Sequence, residues 1–163
     1  MGAFAVLRRE RSECLSVHVL RRELWLPQPL APVFDFFSRA SNLERITPPW
    51  VRFRVLTPEP IVMKPGALIE YKLRIHGLPA RWLTEITNWE PPHRFVDEQR
   101  KGPYKLWRHT HLFTPVGEGT RIVDEVHYEL PFGPIGDLVH RLMVRGDVER
   151  IFDFRNATIP GVI

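Results

Sequence analysis

Cysteine is almost missing from this chain: Cys14 is the single one among 163 residues. An internal disulfide is therefore excluded, and so is any cysteine-based zinc site. Long apolar runs are also missing, and nothing reaches the length of a spanning helix. The opening MGAFAVLRRERSECL has no hydrophobic segment of signal-peptide length followed by a small-residue cleavage site, so the expectation is a cytoplasmic protein with no stable membrane insertion. Gly2 does not signal myristoylation, because Val6 stands where that pattern wants Ser or Thr. Charge of one sign is not concentrated anywhere except at Arg8, Arg9 and Arg11. The formal net charge of +4 is spread among interleaved Asp and Glu, which argues against a nucleic-acid partner. Internal repeats, low-complexity tracts and a nucleophile motif are lacking as well.

What is present fits one globular domain. Hydrophobic residues make up 44% and charged residues 26%, in a chain long enough for one sizeable core and short for two. We read residues 1–15 as an N-terminal extension and 16–163 as a single domain. It opens with a strand in SVHVLRRELWL. Prolines at 27, 29 and 32 suit a helix start, and the spacing predicts a helix over 29–39 that buries Val33, Phe36 and Phe37. Ser41 or Asn42 would cap a second short helix ending before Pro48 and Pro49. From Val51 the apolar period becomes two, giving VRFRVL, ALIEYKLRIH, ARWLTEITNWE, HRFVDEQR, KLWRHTHLFTP and TRIVDEVHYEL as strands of an antiparallel meander. Gly77-Leu78-Pro79 and Gly117-Glu118-Gly119 are among the turns between them. After ELPFGPIGD the period is helical, with Leu138, Val139, Leu142 and Met143 as an apolar stripe placing Leu138 and Leu142 in the core. Gly146 would mark a bend or a close approach to the sheet. Such an α+β order packs by wrapping a curved antiparallel sheet around the long C-terminal helix, with two short helices closing one end.

The chemistry gathers on DEQRKGPYKLWRHTHLF. Trp107, His109, His111 and Phe113 alternate, so a strand puts all four on one face. A hairpin through Gly102-Pro103-Tyr104 pairs Gln99 with Trp107, Asp97 with His109 and Phe95 with His111. A tight turn through Gly117-Glu118 pairs Trp107 with Tyr128, His109 with Val126 and His111 with Asp124. The same parity turns Trp82, Thr84, Ile86, Tyr71, Leu73 and Ile75 inward. Buried carboxylates demand donors, so Asp97 and Asp124 are expected beside the imidazoles as two separate His–Asp neighbours. Apolar walls with a few placed polar groups are the recipe of a ligand pocket.

The segments NLERITPP, FVDEQRKGPYKLWRHTHLF and VDEVHYELPFG resemble bacterial ligand-binding proteins of the SRPBCC superfamily, also called START-like or Bet v 1-like. The resembling branch is uncharacterised and is sometimes labelled cell-division-inhibitor-like; the likeness runs over about residues 17–157. It implies the helix-grip fold and a START-like ligand-binding domain for hydrophobic small molecules, in a superfamily that also includes cyclases and dehydratases. The candidate ligand-binding set is Tyr71, Trp82, Thr84, Asp97, Gln99, Trp107, His109, His111, Asp124, Tyr128, Leu138 and Leu142. The expected partner is a lipid-, polyketide- or aromatic-like molecule, with no cofactor required. The alternative is a cofactor-independent cyclase, dehydratase or hydrolase, with His109, His111, Asp97 and Asp124 as acid/base candidates and Tyr128 or Arg74 as oxyanion donor. A buried network that merely fixes the sheet stands beside both. A metal held by the two imidazoles and two carboxylates is weighed and not adopted. Arg141, Arg145 and Arg150 beside the apolar stripe leave a membrane-facing carrier as a variant of the binding reading. Arg155 either pairs with a carboxylate or caps the cavity, and His76, His93 and His140 are placed on loops or the surface. Oligomeric state is not determined by the sequence.

Overall fold

Period-two patterning becomes a seven-stranded antiparallel sheet of order β1-β7-β6-β5-β4-β3-β2 in the structure, a computed structural model that describes residues 17–163. The extension, Cys14 and the Arg8, Arg9 and Arg11 cluster lie outside the described residues. The strands are β1 (His18–Leu26), β2 (Arg54–Val55), β3 (Leu68–Ile75), β4 (Leu78–Glu90), β5 (Arg94–Lys101), β6 (Leu106–Val116) and β7 (Gly119–Glu129). Between β1 and β2 come helix α1 (Leu30–Phe37) and 3-10 turns at Ala40–Glu44 and Pro49–Val51. After β7 the chain runs through α2 (Gly133–Val139), a π-helical turn (His140–Val144), α3 (Arg145–Thr158) and a final 3-10 turn, Ile159–Gly161. The sheet grips this long C-terminal segment: the fold is the expected helix-grip.

Local chemistry accounts for the elements. Pro29 sits at the N-cap of α1 and Pro32 lies in its first turn, where a missing N–H costs no helical bond. Val33, Phe34, Phe36 and Phe37 then face the core. The second short helix is a 3-10 turn without a side-chain cap; Asn42 Nδ2 instead donates to the Phe36 carbonyl at 2.8 Å. In VRFRVL only Arg54 and Val55 pair as strand. Val51 closes the turn set by the two prolines, and Arg52 is left-handed at φ 47°, which breaks the extended path. The β3–β4 turn falls one residue earlier than expected. Ile75 pairs with Leu78, and His76 and Gly77 both take positive φ, the geometry that matches strand twist in a two-residue hairpin. Irregularities in β4 at Leu83/Thr84 and Ile86/Asn88 bend the sheet toward the helix.

The helix departs from the expected stripe. Leu138, Leu142 and Met143 are 50%, 74% and 48% exposed, while Gly136, His140, Val148, Phe152 and Arg155 are buried. With half-buried Val144, the inward positions step by four from residue 136 to 152. Repeated steps of four drift off one face of a 3.6-residue helix, and a π turn absorbs the surplus residue. That turn puts His140 inside and Leu142 outside. Gly146 makes no close approach to the sheet, since a Cβ there would meet nothing within 4 Å.

An aromatic lobe fills one end. Phe34 packs edge-on against Phe113 and Phe95, with ring centroids 5.3 and 6.1 Å away, and Ile159 closes it from the 3-10 turn after α3. Burial of such rings dominates core energetics. Beyond this lobe the sheet and α3 part.

Candidate functional site

The gap between β3, β4, β5, β6 and α3 is a cavity of about 390 Å³. Its wall includes Ile69, Tyr71, Trp82, Thr84 and Ile86 from β3 and β4, joined by Asp97, Trp107, His109 and His111 from β5 and β6. Phe152 and Arg155 face it from α3, and Arg74 lies at its edge. At its mouth His76 Nε2 is 2.7 Å from the Asp147 carboxylate, tying the β3–β4 turn to α3.

The polar centre is set by strand register. Asp97 pairs with His109, Phe95 with His111, His109 with Val126 and His111 with Asp124, all as the hairpin lengths predict. The bonds, however, cross the pairs. His109 Nε2 lies 2.9 Å from Asp124 Oδ1, and His111 Nε2 lies 2.9 Å from Asp97 Oδ2. His111 Nδ1 is 3.0 Å from the same Asp124 oxygen, off hydrogen-bond geometry, and His109 Nδ1 is 3.7 Å from Asp97. Two separate His–Asp neighbours are thus corrected to one four-membered network, because the imidazoles lie 3.7 Å apart between centroids, tilted by 37°, and each reaches diagonally.

Burial acts to raise the pKa of Asp124, but the bonds and charges of His109 and His111 outweigh it and hold the carboxyl well below its usual range. The same contest lowers Asp97, chiefly through the His111 bond. Ionised carboxylates only accept, so both imidazoles donate. Burial lowers His109 and the neighbouring His111 charge adds to this, leaving it the neutral ring. For His111 burial is overcome by Asp124 and Asp97, and its pKa is raised. Tyr71 is raised by burial and by the Asp97 charge, so its phenol stays protonated.

Several expected site residues stand elsewhere. Asp124 is behind the imidazoles, away from the cavity wall, where it hydrogen-bonds the His109 ring and lies 3.0 Å from His111 Nδ1. Gln99 is drawn into the β5–β6 connection, its Nε2 donating to the Tyr104 carbonyl at 2.6 Å. Tyr128 turns from the cavity to His140, with Oη and Nε2 at 2.8 Å. His140, expected on the surface, is buried and stacks on His18 at 3.4 Å, so Tyr128 is no oxyanion donor for this cavity. Leu138, in α2, and Leu142, in the π turn, are both exposed. Arg155, left open by the sequence, is a buried cavity residue with its Cζ 4.9 Å over the Phe152 ring. The missed signal is the step of four itself: counted back from Phe152 it reaches Val148, Val144 and His140.

Asp97, His109 and His111 each offer a ligand atom within 4.8 Å of the others, a set of two imidazoles and a carboxylate that could hold a divalent cation. Asp124 would then be the carboxylate behind the imidazoles that fixes their tautomers.

The family described as polyketide cyclase / dehydrase and lipid transport matches residues 26–154. No functionally curated protein matches the chain. Among solved structures, the chain is similar to the protein TTHA0849 of Thermus thermophilus, with 26% identity, a TM-score of 0.59, and 87% of this chain and 97% of that one covered. It also resembles CV1439 of Chromobacterium violaceum, at 12% identity and a TM-score of 0.69 over 90% and 97% of the two chains. The major latex-like protein 151 of Panax ginseng is 16% identical, with a TM-score of 0.55 over 82% of this chain and 96% of that one. The last two likenesses speak for the fold alone.

Proposed function

Because the chain belongs to the polyketide cyclase/dehydrase and lipid transport family of the SRPBCC superfamily, we propose that it binds a hydrophobic or amphipathic small molecule in the cavity between sheet and α3. The observation that carries this is the cavity's make-up. About 390 Å³ lies within the range of small-molecule sites, and its walls are largely apolar, with Asp97, His109, His111 and Arg155 among the polar groups on them. Well-packed cores leave few voids larger than a water molecule, so this space is not what folding alone would produce. The apolar body of the ligand would lie against Ile69, Trp82 and Ile86.

Two measurements test it. Native mass spectrometry of protein from its host should show a discrete small-molecule adduct that is lost on denaturation. The uncharged fluorophore N-phenyl-1-naphthylamine should bind the purified protein saturably, and bind less well when Ile86→Trp fills the cavity. Fluorescence indifferent to Ile86→Trp would place the probe elsewhere and count against the reading.

One observation favours a second reading. His109, held by Asp124 through Nε2, turns its other nitrogen toward Asp97 and the cavity, which is the arrangement of an oriented general base. A cofactor-independent cyclisation, dehydration or hydrolysis would use it so.

A further inference from the structure

Among the described residues the buried charges are paired, with one exception. Asp124 is held by two imidazoles, and Glu129 takes Lys105 Nζ at 2.7 Å. Arg155 is only 8% exposed, yet among the described residues nothing accepts a hydrogen bond from its Nε or Nη1, both sealed from solvent. Its guanidinium rests on the Phe152 ring and borders the cavity with Tyr71 and Asp97. Asp97 is the anion whose charge it feels, but that carboxylate is engaged by His111 at 2.9 Å. A guanidinium without a hydrogen-bonding anion in the interior is costly, and the Phe152 ring and the Asp97 charge leave its Nε and Nη1 hydrogens without an acceptor. The planar fork of donors is the group best matched to a carboxylate or a similar oxyanion.

We propose that the cavity's ligand carries an anionic group, a carboxylate or its like, with an oxygen accepting a hydrogen bond from Arg155 Nη2, the guanidinium nitrogen that is not sealed, and its charge opposed to the guanidinium, while its apolar body fills the space toward Trp82 and Ile86. This rests on the cavity-binding reading and adds the charge of the ligand. A neutral carbonyl would satisfy a donor but leave the charge unopposed. The protonated Tyr71 phenol on the same wall offers a further donor. Alkyl and aromatic acids share this chemistry.

The test uses two fluorophores with the same aryl body, the sulfonate 8-anilino-1-naphthalenesulfonate and uncharged N-phenyl-1-naphthylamine, titrated against wild type, Arg155→Lys and Arg155→Met. Arg155→Met should weaken the sulfonate about tenfold or more, as loss of a hydrogen bond to a charged group does, and leave the uncharged probe within about twofold. Arg155→Lys should fall between. Because no side chain in the described structure bonds to Arg155, the Met variant orphans nothing, and its melting temperature should be unchanged or higher. On wild type, decanoate and 2-naphthoate should displace the sulfonate where decanol and 2-naphthol do not, and the more potent acid tells an alkyl ligand from an aromatic one. Equal effects of Arg155→Met on both probes, or displacement by the alcohols as readily as by the acids, would overturn the anion site while leaving the cavity reading intact. Failure of wild type to bind either probe would overturn both.

Discussion

The two halves of the C-terminal helical segment treat their side chains in opposite ways. The first turns Leu142 and Phe132, the residue just before it, to solvent at 74% and 80% exposure; the second buries Phe152 and the guanidinium of Arg155. Hydrophobicity alone would bury Leu142 and Phe132 and would leave Arg155 outside. What differs is the surface beneath. The second half lies over the ionisable centre of the sheet, with the Phe152 ring edge-on to His109 at 5.3 Å. The first half leads into the π turn, which brings His140 to Tyr128 and leaves Leu142 outward. The helix is ordered by what it covers, and its apolar stripe is secondary.

The contrast breaks most sharply when the covered network is cut. Asp124→Ala leaves the His109 N–H without an acceptor and the raised His111 charge facing Asp97 alone. Removing one partner of a buried charge pair costs about 3–5 kcal/mol. Urea unfolding should show that loss, and the melting temperature should fall by about 10 °C. A loss below about 1 kcal/mol would mean that Asp124 is not holding both rings.

The register of that network was legible because strand parity leaves little freedom. A two-residue turn at Gly117-Glu118, with Gly117 at φ 61°, fixes every pair from Val116↔Gly119 to Leu106↔Glu129, and His111↔Asp124 with them. Parity does not fix how side chains lean. His109 and His111 are opposite Val126 and Asp124 in the ladder, yet both imidazoles reach the same Asp124 oxygen, which no alternation rule can state. Tyr128 has the parity of a cavity residue and is captured by His140 from a helix whose phase the sequence did not reveal. Leu142 sits in the π turn, where one extra residue moves a face by about 100°, and Leu138 lies on the α2 turn leading into it.

A smaller effect separates the two imidazoles by pH. His111 has its folded pKa raised above its ordinary value of 6.5, so its stabilisation is complete below that value and is lost as pH rises through the folded pKa. His109 is depressed, so the unfolded chain takes up its proton first and stability falls as pH drops from 6.5 toward the folded pKa. The two limbs have opposite sign, with slopes of at most about 1.4 kcal/mol per pH unit for each proton. Against wild type, His111→Gln should flatten the alkaline limb and His109→Gln the acid limb. Parallel profiles for both variants would show that the rings titrate as one unit.

The smallest effect is expected where composition would place the largest. Leu142→Ser removes a large aliphatic side chain from the middle of the helical segment, and in a core this class of change costs about 2–5 kcal/mol. At 74% exposure Leu142 has little surface to return to water, so the unfolding free energy should change by about 0.5 kcal/mol or less. A core-sized loss would require that the π turn relax and bring Leu142 inward, which would carry His140 away from Tyr128 and break their 2.8 Å bond. The outward leucine and the inward histidine are two readings of one helical phase, and this substitution measures that phase directly.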